Sequence, residues 1–185
     1  MPSDSLRIQK GRLRGHKIKP PPPVHGNSHL TLNLVKEAIF QVLDGQLGED
    51  VSRYAFFDLC AGSGQMAFEA FSRGFADVHL AEVDSRRLTH LITEAKRGEL
   101  DVQMHRRDFR RMAPLVFQYP RSVIFLDPPY SFWDDGDSSA VDRLLHNLAH
   151  PSEESFARIE ALRESGEDFD LRFIVHGPGV YTPKI

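Results

Sequence analysis

Short apolar runs alternate with amphipathic segments along most of this 185-residue chain. Runs of four to six apolar-rich residues predict strands, and segments whose apolar residues recur at intervals of three and four predict helices. The predicted strands cover 54–59, 78–82, 102–105, 122–127 and 171–176. The predicted helices cover 64–73, 85–97, 109–117, 138–149 and 153–165, after a first helix that begins near Leu30 and ends near Gly45. This alternation predicts an α/β fold in which helices cover both faces of a mostly parallel, twisted sheet.

Basic residues are concentrated near the start of the chain, although the net charge is only −3. Residues 1–20 contain one acid and six basic residues, which are Arg7, Lys10, Arg12, Arg14, Lys17 and Lys19. A basic arm of this kind attracts nucleic-acid phosphates without reading sequence, but composition alone is equally consistent with a solvated tail. We interpret residues 1–45, the basic arm and first helix, as a nucleic-acid-binding extension, and residues 46–185 as the main domain.

The cysteine, histidine and hydropathy patterns bear on disulfides, metal binding and cellular location. Cys60 is the single cysteine, so an internal disulfide is excluded, and the 9 His residues show no metal-binding interval. The first residues have no signal-peptide core, and no apolar run approaches the roughly 18 residues that a membrane span needs. We therefore expect a cytoplasmic protein with no structural metal and no membrane partner.

Acidic residues close four successive apolar runs of the predicted sheet. They are Asp58, Glu82, Asp108 and Asp127. One acid in such a place is commonplace as a helix cap or turn former. Four in order are harder to explain structurally, because ligands of parallel sheets bind beyond the carboxyl ends of the strands. The pattern predicts a ligand site at that edge.

A glycine-rich turn follows the first predicted strand. It consists of Cys60, Ala61, Gly62, Ser63 and Gly64. Such a turn lets a ligand approach the backbone and points helix N-terminal amides at it. A dinucleotide-binding dehydrogenase uses a similar turn, but Ala67 stands here in place of its third glycine, and Asp58 would repel a pyrophosphate. Asp58 instead favours a ligand with a cationic amino group.

Two further acids extend this ligand hypothesis. Glu82 lies 24 residues after Asp58, close to the interval of about 20 residues at which a carboxylate binds ribose hydroxyls in Rossmann-like sites. Asp108 is placed to accept a hydrogen bond from an adenine amino group while Phe109 packs against the ring, although a helix N-cap explains Asp108 nearly as well. Amine, ribose and adenine describe S-adenosyl-L-methionine better than NAD.

Three motifs give the chain a specific resemblance. DLCAGSG (58–64), LAEVD (80–84) and FLDPPY (125–130) resemble the motifs of class I methyltransferases that act on exocyclic amines. Their order and spacing resemble the RsmD family of small-subunit ribosomal RNA guanine-N2 methyltransferases. RIQKGRLRGHKI (7–18) and TLNLVKEAIFQVL (31–43) are similar to that family's opening and first helix, so the likeness covers most of residues 6–130. It implies a Rossmann-like fold, S-adenosyl-L-methionine as cofactor with Val83 beside Glu82 in its site, ribosomal RNA or the small ribosomal subunit as partner, and a monomer.

The DPPY motif is the predicted catalytic segment. An exocyclic amine is a poor nucleophile because its lone pair is delocalised into the base, so the site must hold the amine and aim it. The Asp127 carboxylate and the Pro128 carbonyl are suited to accept the amino hydrogens, and consecutive prolines, Pro128 and Pro129, stiffen the loop. Tyr130 is suited to stack on an extruded base. A plain turn explains the motif alone, but its combination with the upstream motifs favours catalysis.

The substrate is less sharply defined than the chemistry. DPPY also occurs in DNA adenine-N6 methyltransferases, but the 69 residues from Asp58 to Asp127 and the 55 after Tyr130 leave no room for a separate target-recognition region. Protein glutamine methyltransferases have Asn where Asp127 stands. A small enzyme with a basic arm suits structured RNA. A non-catalytic module that uses the same fold to bind RNA or a partner is the alternative from another class.

Two segments depart from the family pattern. Only residues 177–185 follow the last predicted strand, which predicts that the usual terminal antiparallel strand pair is truncated or missing. Residues 29–34 read HLTLNL where the family has an RPTTDR-like run, so the RNA target could differ. Phe132 and Trp133 are weaker candidates for an extension of the base pocket.

Overall fold

The computed structural model describes residues 6–21, 33–133 and 139–177. The strands are β1 (Leu6–Arg7), β2 (Lys17–Ile18), β3 (Ala55–Asp58), β4 (Asp77–Ala81), β5 (Gln103–His105), β6 (Arg121–Leu126) and β7 (Asp170–Val175). The helices are α1 (Asn33–Leu47), α2 (Gln65–Arg73), α3 (Ser85–Gly98), α4 (Ala113–Val116), α5 (Ala140–Ala149) and α6 (Glu153–Glu164). Short 3₁₀ segments cover Gly48–Arg53, Phe109–Arg111 and Tyr130–Phe132.

Five parallel strands form the central sheet in the order β5-β4-β3-β6-β7. The chain leaves β3 toward β4 and β5, then returns to the other side of β3 with β6 and β7, so the strand order reverses beside β3. Asp58 at the end of β3 is in register with Leu80 of β4 and Phe125 of β6. The three carboxyl ends therefore meet at one edge, and the predicted Rossmann-like α/β fold is confirmed.

Both faces of the sheet are buried by helices. Phe56 and Phe125 point into a core that includes residues of α2 and α3, whereas Phe57 and Leu126 point into a second core with residues of α4, α5 and α6. Strands that are covered on both faces lack polar alternation. This explains why the strands could be recognised in the sequence as nearly continuous apolar runs.

The described part of the basic arm is folded. Strands β1 and β2 pair antiparallel, with Leu6 opposite Ile18, and form the N-terminal hairpin (residues 6–18). Leu6, Ile8 and Ile18 are buried in the same core as Phe56. The tail interpretation of this segment is therefore wrong for residues 6–21, because its basic residues alternate with apolar ones that the core takes up.

A buried carboxylate fastens the N-terminal hairpin to α2. Glu69 is fully buried and accepts hydrogen bonds from the backbone amides of Gln9 (2.7 Å) and Lys10 (3.0 Å). The buried ammonium of Lys36 on α1 lies 3.6 Å from Glu69 and donates to the carbonyl of Arg7 at 2.7 Å. Paired and hydrogen-bonded charges of this kind are costly to separate, so the hairpin is held in one position.

Several element boundaries differ from those predicted. The predicted helix 109–117 is wrong as one element: a 3₁₀ segment at Phe109–Arg111 precedes the short α4, and Pro114 stands in the first turn of α4, where a missing N–H is tolerated. Helix α1 continues through Gly45 to Leu47. The start predicted near Leu30 and residues 29–32 of the family difference lie outside the described residues.

The described sheet ends at β7. Residues 178–185, on which the predicted truncation of the terminal strand pair depends, lie outside the described residues, so that prediction remains one. Within the described ranges, no helix combines the length and the apolar character that crossing a membrane would require.

Candidate active site

A small cleft opens at the carboxyl edge of the sheet, beside the point where the strand order reverses. Its volume is about 100 Å³. Seven residues that were predicted from the sequence line it: Cys60, Glu82, Val83, Asp108, Phe109, Asp127 and Pro129. Arg107 and Phe132 complete its polar and aromatic walls. The strand ends bring these seven residues together, whereas Asp58, Pro128 and residues 61–64 lie at the same edge without lining the cleft.

The glycine-rich turn forms one side of this edge and requires its glycines. Gly64 is the N-cap of α2 with φ of 72°, and a Cβ atom there would lie 2.7 Å from Cδ2 of Leu91. Gly62 also has a positive φ, 51°. The amide of Ala61 donates to the carbonyl of Ala81 at 3.0 Å and ties the turn to the end of β4. Ser63 is buried within it. Gly64 therefore has no room for a side chain, and the positive φ of Gly62 favours glycine there as well.

Asp58 is the most unusual group at the site. Its side chain is buried, and no described group makes a well-aligned hydrogen bond to either carboxylate oxygen. Burial raises the pKa of Asp58 to about 7 against the opposing effect of the nearby backbone amides of Ala67 and Cys60, and the charges of Asp127 and Glu82 add to the rise. Buried carboxylates are normally hydrogen-bonded. A buried carboxylate with only these amide contacts, beside a glycine turn, fits a ligand that brings a cationic donor.

Glu82 follows β4 and is held at the cleft by the backbone. Its Oε1 atom accepts a hydrogen bond from the amide of Asp84 at 2.9 Å, and its own amide donates to the carbonyl of His105 at 3.1 Å. The side chain is largely buried, at 8% exposure, and Oε2 accepts no hydrogen bond from the described part of the chain. Val83 beside it is exposed. The carboxylate is therefore oriented and still has acceptor capacity for ligand hydroxyls.

Asp108 has a structural role that the sequence had left as an alternative. It is the N-cap of the 3₁₀ segment, accepting from the amide of Arg110 at 2.9 Å, and its carboxylate pairs with the Arg110 guanidinium at 2.6 Å. These interactions with Arg110 hold the pKa of Asp108 below its usual value. Phe109 is buried and packs edge-on against Phe132, with ring centroids 5.4 Å apart. The two rings form an apolar wall beside Asp108.

Cys60 has no reactive character in this setting. Burial, reinforced by the negative charges of Asp58 and Glu82, raises the pKa of its thiol well above the usual value. The thiolate is the nucleophilic form of cysteine, so this thiol is poorly suited to nucleophilic attack. Cys60 lines the cleft and contributes to its shape and polarity.

The predicted catalytic segment begins where β6 ends. The Asp127 carboxylate is 14% exposed, and its Oδ1 atom lies 2.9 Å from Nδ1 of His176, the residue after β7. Pro128 is buried, and its carbonyl accepts a hydrogen bond from the Trp133 indole at 3.3 Å. The backbone then turns through the 3₁₀ segment Tyr130–Phe132, and the side chain of Tyr130 lies outside the described atoms.

Sequence reasoning missed His176, and for Trp133 it left coverage of a core edge as the alternative to a place in the base pocket. His176 closes the predicted strand 171–176, and the signal was available: β6 and β7 are neighbours, so their ends must meet. Trp133 is buried and contributes to the core, where its ring occupies the space that a Cβ atom at Gly177 would need. Through its hydrogen bond to the Pro128 carbonyl, Trp133 stabilises the loop that follows β6. Phe132, by contrast, lines the cleft.

The basic residues of the N-terminal hairpin do not reach this cleft. The hairpin packs against the C-terminal parts of α2 and α3, where the amide of Leu13 bonds Ser72 and Arg97 bonds the carbonyl of Lys17. Among its basic residues, Lys10 pairs with Asp44 and Arg12 lies 3.9 Å over the Phe71 ring. The remaining four are exposed, with no acidic partner in the described ranges: Arg7, Arg14, Lys17 and Lys19.

A larger cavity of about 650 Å³ lies at the opposite edge of the sheet. It is bounded by Arg12, Phe71 and the starts of β4 and β5, together with the exposed acids Glu99 and Asp101. None of the strand-end carboxylates faces it. This cavity is larger, but the carboxylates that could bind a ligand or take part in a reaction lie at the carboxyl edge of the sheet. The cleft at that edge is therefore the stronger candidate for the active site.

Comparison with known proteins identifies the family and supports the fold. The model of a protein family described as "Conserved hypothetical protein 95" matches residues 6–168. The chain is 32% identical over 134 residues to "Putative rRNA methyltransferase YlbH" of Bacillus subtilis (strain 168), covering 68% of this chain and 67% of that protein. It is 28% identical over 161 residues to "Ribosomal RNA small subunit methyltransferase D" of Buchnera aphidicola subsp. Acyrthosiphon pisum (strain APS), covering 85% and 78%. The solved structure of "Putative methyltransferase yhhF from Escherichia coli" shares the fold, with a TM-score of 0.56, 21% identity, and coverage of 78% and 73%.

Proposed function

The chain belongs to the family described as Conserved hypothetical protein 95, the RsmD family, and on that premise we propose that it methylates ribosomal RNA. The methyl group would come from S-adenosyl-L-methionine, and the acceptor would be the exocyclic N2 amine of a guanine in small-subunit RNA. One observation carries the proposal: the buried carboxylate of Asp58, Glu82 and the Asp127 loop meet at one sheet edge beside a glycine turn. The names of two relatives supply the substrate class.

The residues around the cleft fit this cofactor. The buried carboxylate of Asp58 suits its ammonium group, and the turn at Gly62 and Gly64 lets the cofactor approach the backbone closely. Glu82 suits the ribose hydroxyls, and the apolar wall that includes Phe109 suits the adenine ring, with Asp108 at its edge. When bound, the cofactor supplies an electrophilic methyl group on a sulfonium. Cys60, Ala61, Ser63 and Val83 complete the proposed cofactor site.

The Asp127 loop would hold the acceptor amine. The carboxylate of Asp127 can take one amino hydrogen, and the Pro128 carbonyl, which has a second lone pair besides the one used by Trp133, can take the other. Two acceptors fix the amine with its lone pair toward the methyl group, so catalysis depends mainly on orientation. The proton leaves after transfer, and no strong base is required beforehand. Pro129 stiffens the loop, and Tyr130 is proposed to stack on the base.

The remaining proposals concern the partner and the setting. The exposed basic residues of the hairpin would bind RNA phosphates away from the cleft, so that residues 1–45 act as an RNA-binding extension of the catalytic part at 46–185. The family resemblance supports a cytoplasmic monomer.

The direct test is transfer of labelled methyl from S-adenosyl-L-methionine to unmodified small ribosomal subunits, with free small-subunit RNA and duplex DNA as parallel substrates. Nucleoside analysis should find the label in N2-methylguanosine of the RNA. Label confined to N6-methyladenine of DNA would overturn the substrate. An absence of transfer in all three, with measurable cofactor binding, would favour a non-catalytic RNA- or partner-binding module.

A further inference from the structure

Four arginines between β5 and α4 form a basic segment that the proposed catalytic groups do not use. Arg106, Arg107, Arg110 and Arg111, here called the arginine rim, are all exposed. Arg107 lines the candidate cofactor cleft, and Arg110 pairs with Asp108 at its wall. No carboxylate of the described residues lies within ion-pair distance of Arg106, Arg107 or Arg111. The rim therefore presents positive charge directly beside an acidic site.

A groove begins on the other side of this rim. It has a volume of about 400 Å³ and lies between α4 and the junction of α5 with α6. Arg110 and Arg111 line it together with the exposed polar side chains of Asn147, His150 and Ser152. Pro114 is exposed and provides apolar surface in the same groove, where the buried residues Ala113 and Phe117 form the floor. One short segment of chain thus connects the cleft with a groove rich in hydrogen-bonding groups.

We propose that this groove binds the sugar-phosphate backbone of single-stranded RNA that flanks the target nucleotide. The inference rests on the proposed function for the identity of the RNA and extends it to a second, unassigned contact surface. Guanidinium groups bind phosphate oxygens with two parallel hydrogen bonds, and Asn, His and Ser side chains are common partners of phosphate and sugar. The apolar surface suits a ribose or a base face. A flipped target needs its neighbours to be held, because extrusion disrupts their stacking.

The substrate class proposed for the adjoining cleft favours RNA over an acidic protein segment as the occupant of the groove. Glu153 and Glu154 in the first turn of α6 follow Ser152, but neither lines the groove. Their negative charges already offset the positive end of the α6 helix dipole, so the arginine rim is the part of this surface that attracts phosphate groups. A nucleic-acid backbone can approach one rim while avoiding the acids beyond it, and RNA is already the substrate class proposed for the adjoining cleft.

The test compares RNA affinity across salt concentrations for the full-length protein and its Arg111→Ala and Arg111→Lys variants. Unmodified small-subunit ribosomal RNA is the probe, and filter binding is the readout. Arg53→Ala is the matched control, because Arg53 is an exposed arginine that precedes β3 at the opposite sheet edge. Arg111→Ala should weaken binding about fivefold at 0.1 M salt and reduce the salt slope by about 0.7 to 1. Arg111→Lys should retain most of the slope, and Arg53→Ala should match the unaltered protein.

A second variant tests the groove independently of the rim. Asn147→Asp places a carboxylate among the polar side chains and should weaken RNA binding, while affinity for S-adenosyl-L-methionine stays unchanged. Unaltered RNA affinity and slope in both Arg111→Ala and Asn147→Asp would overturn the proposal, even if methyl transfer occurs. Weakened binding only to assembled subunits, with free RNA binding unchanged, would point to an acidic protein surface and would also overturn it. Weakened RNA binding without any methyl transfer would support the groove and reject the proposed activity.

Discussion

The imidazole Nδ1 of His176 lies 2.9 Å from Oδ1 of Asp127, across the paired ends of β7 and β6. The two residues are 49 positions apart in the chain, and the pairing of Leu126 with Val175 brings them together. The carboxylate that is proposed to hold the substrate amine is therefore itself held. His176 acts as a positioning residue in this account, since it touches Asp127 and would not touch the reacting atoms.

Replacement of His176 should slow methyl transfer without weakening cofactor binding. In His176→Ala the Asp127 carboxylate loses a charge-assisted hydrogen bond, and we expect kcat to fall about tenfold or more because orientation is lost. Asn at this position retains a donor, so His176→Asn should recover part of the rate. The measurement is kcat and KM for each variant, with cofactor Kd by calorimetry. Equal losses in the Ala and Asn variants would argue against positioning through this hydrogen bond.

Glu82→Ala should weaken cofactor binding more than it slows the chemical step. The Glu82 carboxylate lines the cleft with one oxygen fixed by Asp84, and loss of hydrogen bonds to a charged group costs about 1.5 to 3 kcal/mol. Cofactor Kd should therefore rise roughly tenfold to a hundredfold. Glu164→Ala, at the exposed end of α6, is the control and should leave Kd unchanged. An unchanged Kd in Glu82→Ala would remove this residue from the cofactor site.

Asp58 should make the stability of the ligand-free protein depend on pH. Its pKa is raised by burial from 3.8 to about 7 in the folded state, so folding favours the protonated form. The contribution is complete below the unfolded value of 3.8 and is lost as pH rises toward 7, by at most about 1.4 kcal/mol per pH unit. Asp58→Asn should therefore gain stability relative to the unaltered protein between pH 5 and pH 8. Urea unfolding of both proteins at each pH measures the difference in the free energy of unfolding. Parallel pH profiles for the two proteins would contradict the prediction.

Two glycine replacements should have opposite effects on stability. Gly64→Ala combines a φ of 72° with a Cβ atom 2.7 Å from Leu91 Cδ2, so we expect a loss of about 1 to 3 kcal/mol. Gly45→Ala lies in α1 with no atom within 4 Å of the added Cβ, and it should gain about 0.5 to 1 kcal/mol from the lower entropy of the unfolded chain. Urea unfolding midpoints test both. A stable Gly64→Ala protein would mean that the turn can relax.

The fold and the strand-end residues were predictable because they depend on local patterns. Buried parallel strands are continuous apolar runs, and the acids that close them reach one edge in any such sheet. Asp58, Glu82 and Asp127 were therefore identifiable before the structure, and the comparisons confirm the family that the motifs indicated. The burial of Asp58 and its raised pKa could not be predicted, because they depend on how the turn and the neighbouring carboxylates pack around it.

What the sequence left undetermined depends on pairing between distant elements. The N-terminal hairpin was interpreted as an arm because its many charged residues interrupt the apolar pattern of Leu6, Ile8 and Ile18. These side chains become buried only when α1 and α2 are in place. The contact of His176 with Asp127 requires the order of β6 and β7. The groove beside Arg111 exists only where α4 meets the α5–α6 junction.

The most direct measurement of the central claim is methyl transfer by the unaltered protein and by Asp127→Ala, with cofactor Kd determined on the same samples. We expect that the unaltered protein methylates small-subunit ribosomal RNA and that Asp127→Ala loses transfer while its cofactor Kd stays within about twofold. That split is expected because Asp127 is proposed to hold the amine and Asp58 and Glu82 to hold the cofactor. Full transfer by Asp127→Ala, or loss of cofactor binding together with transfer, would contradict the assignment of the catalytic centre.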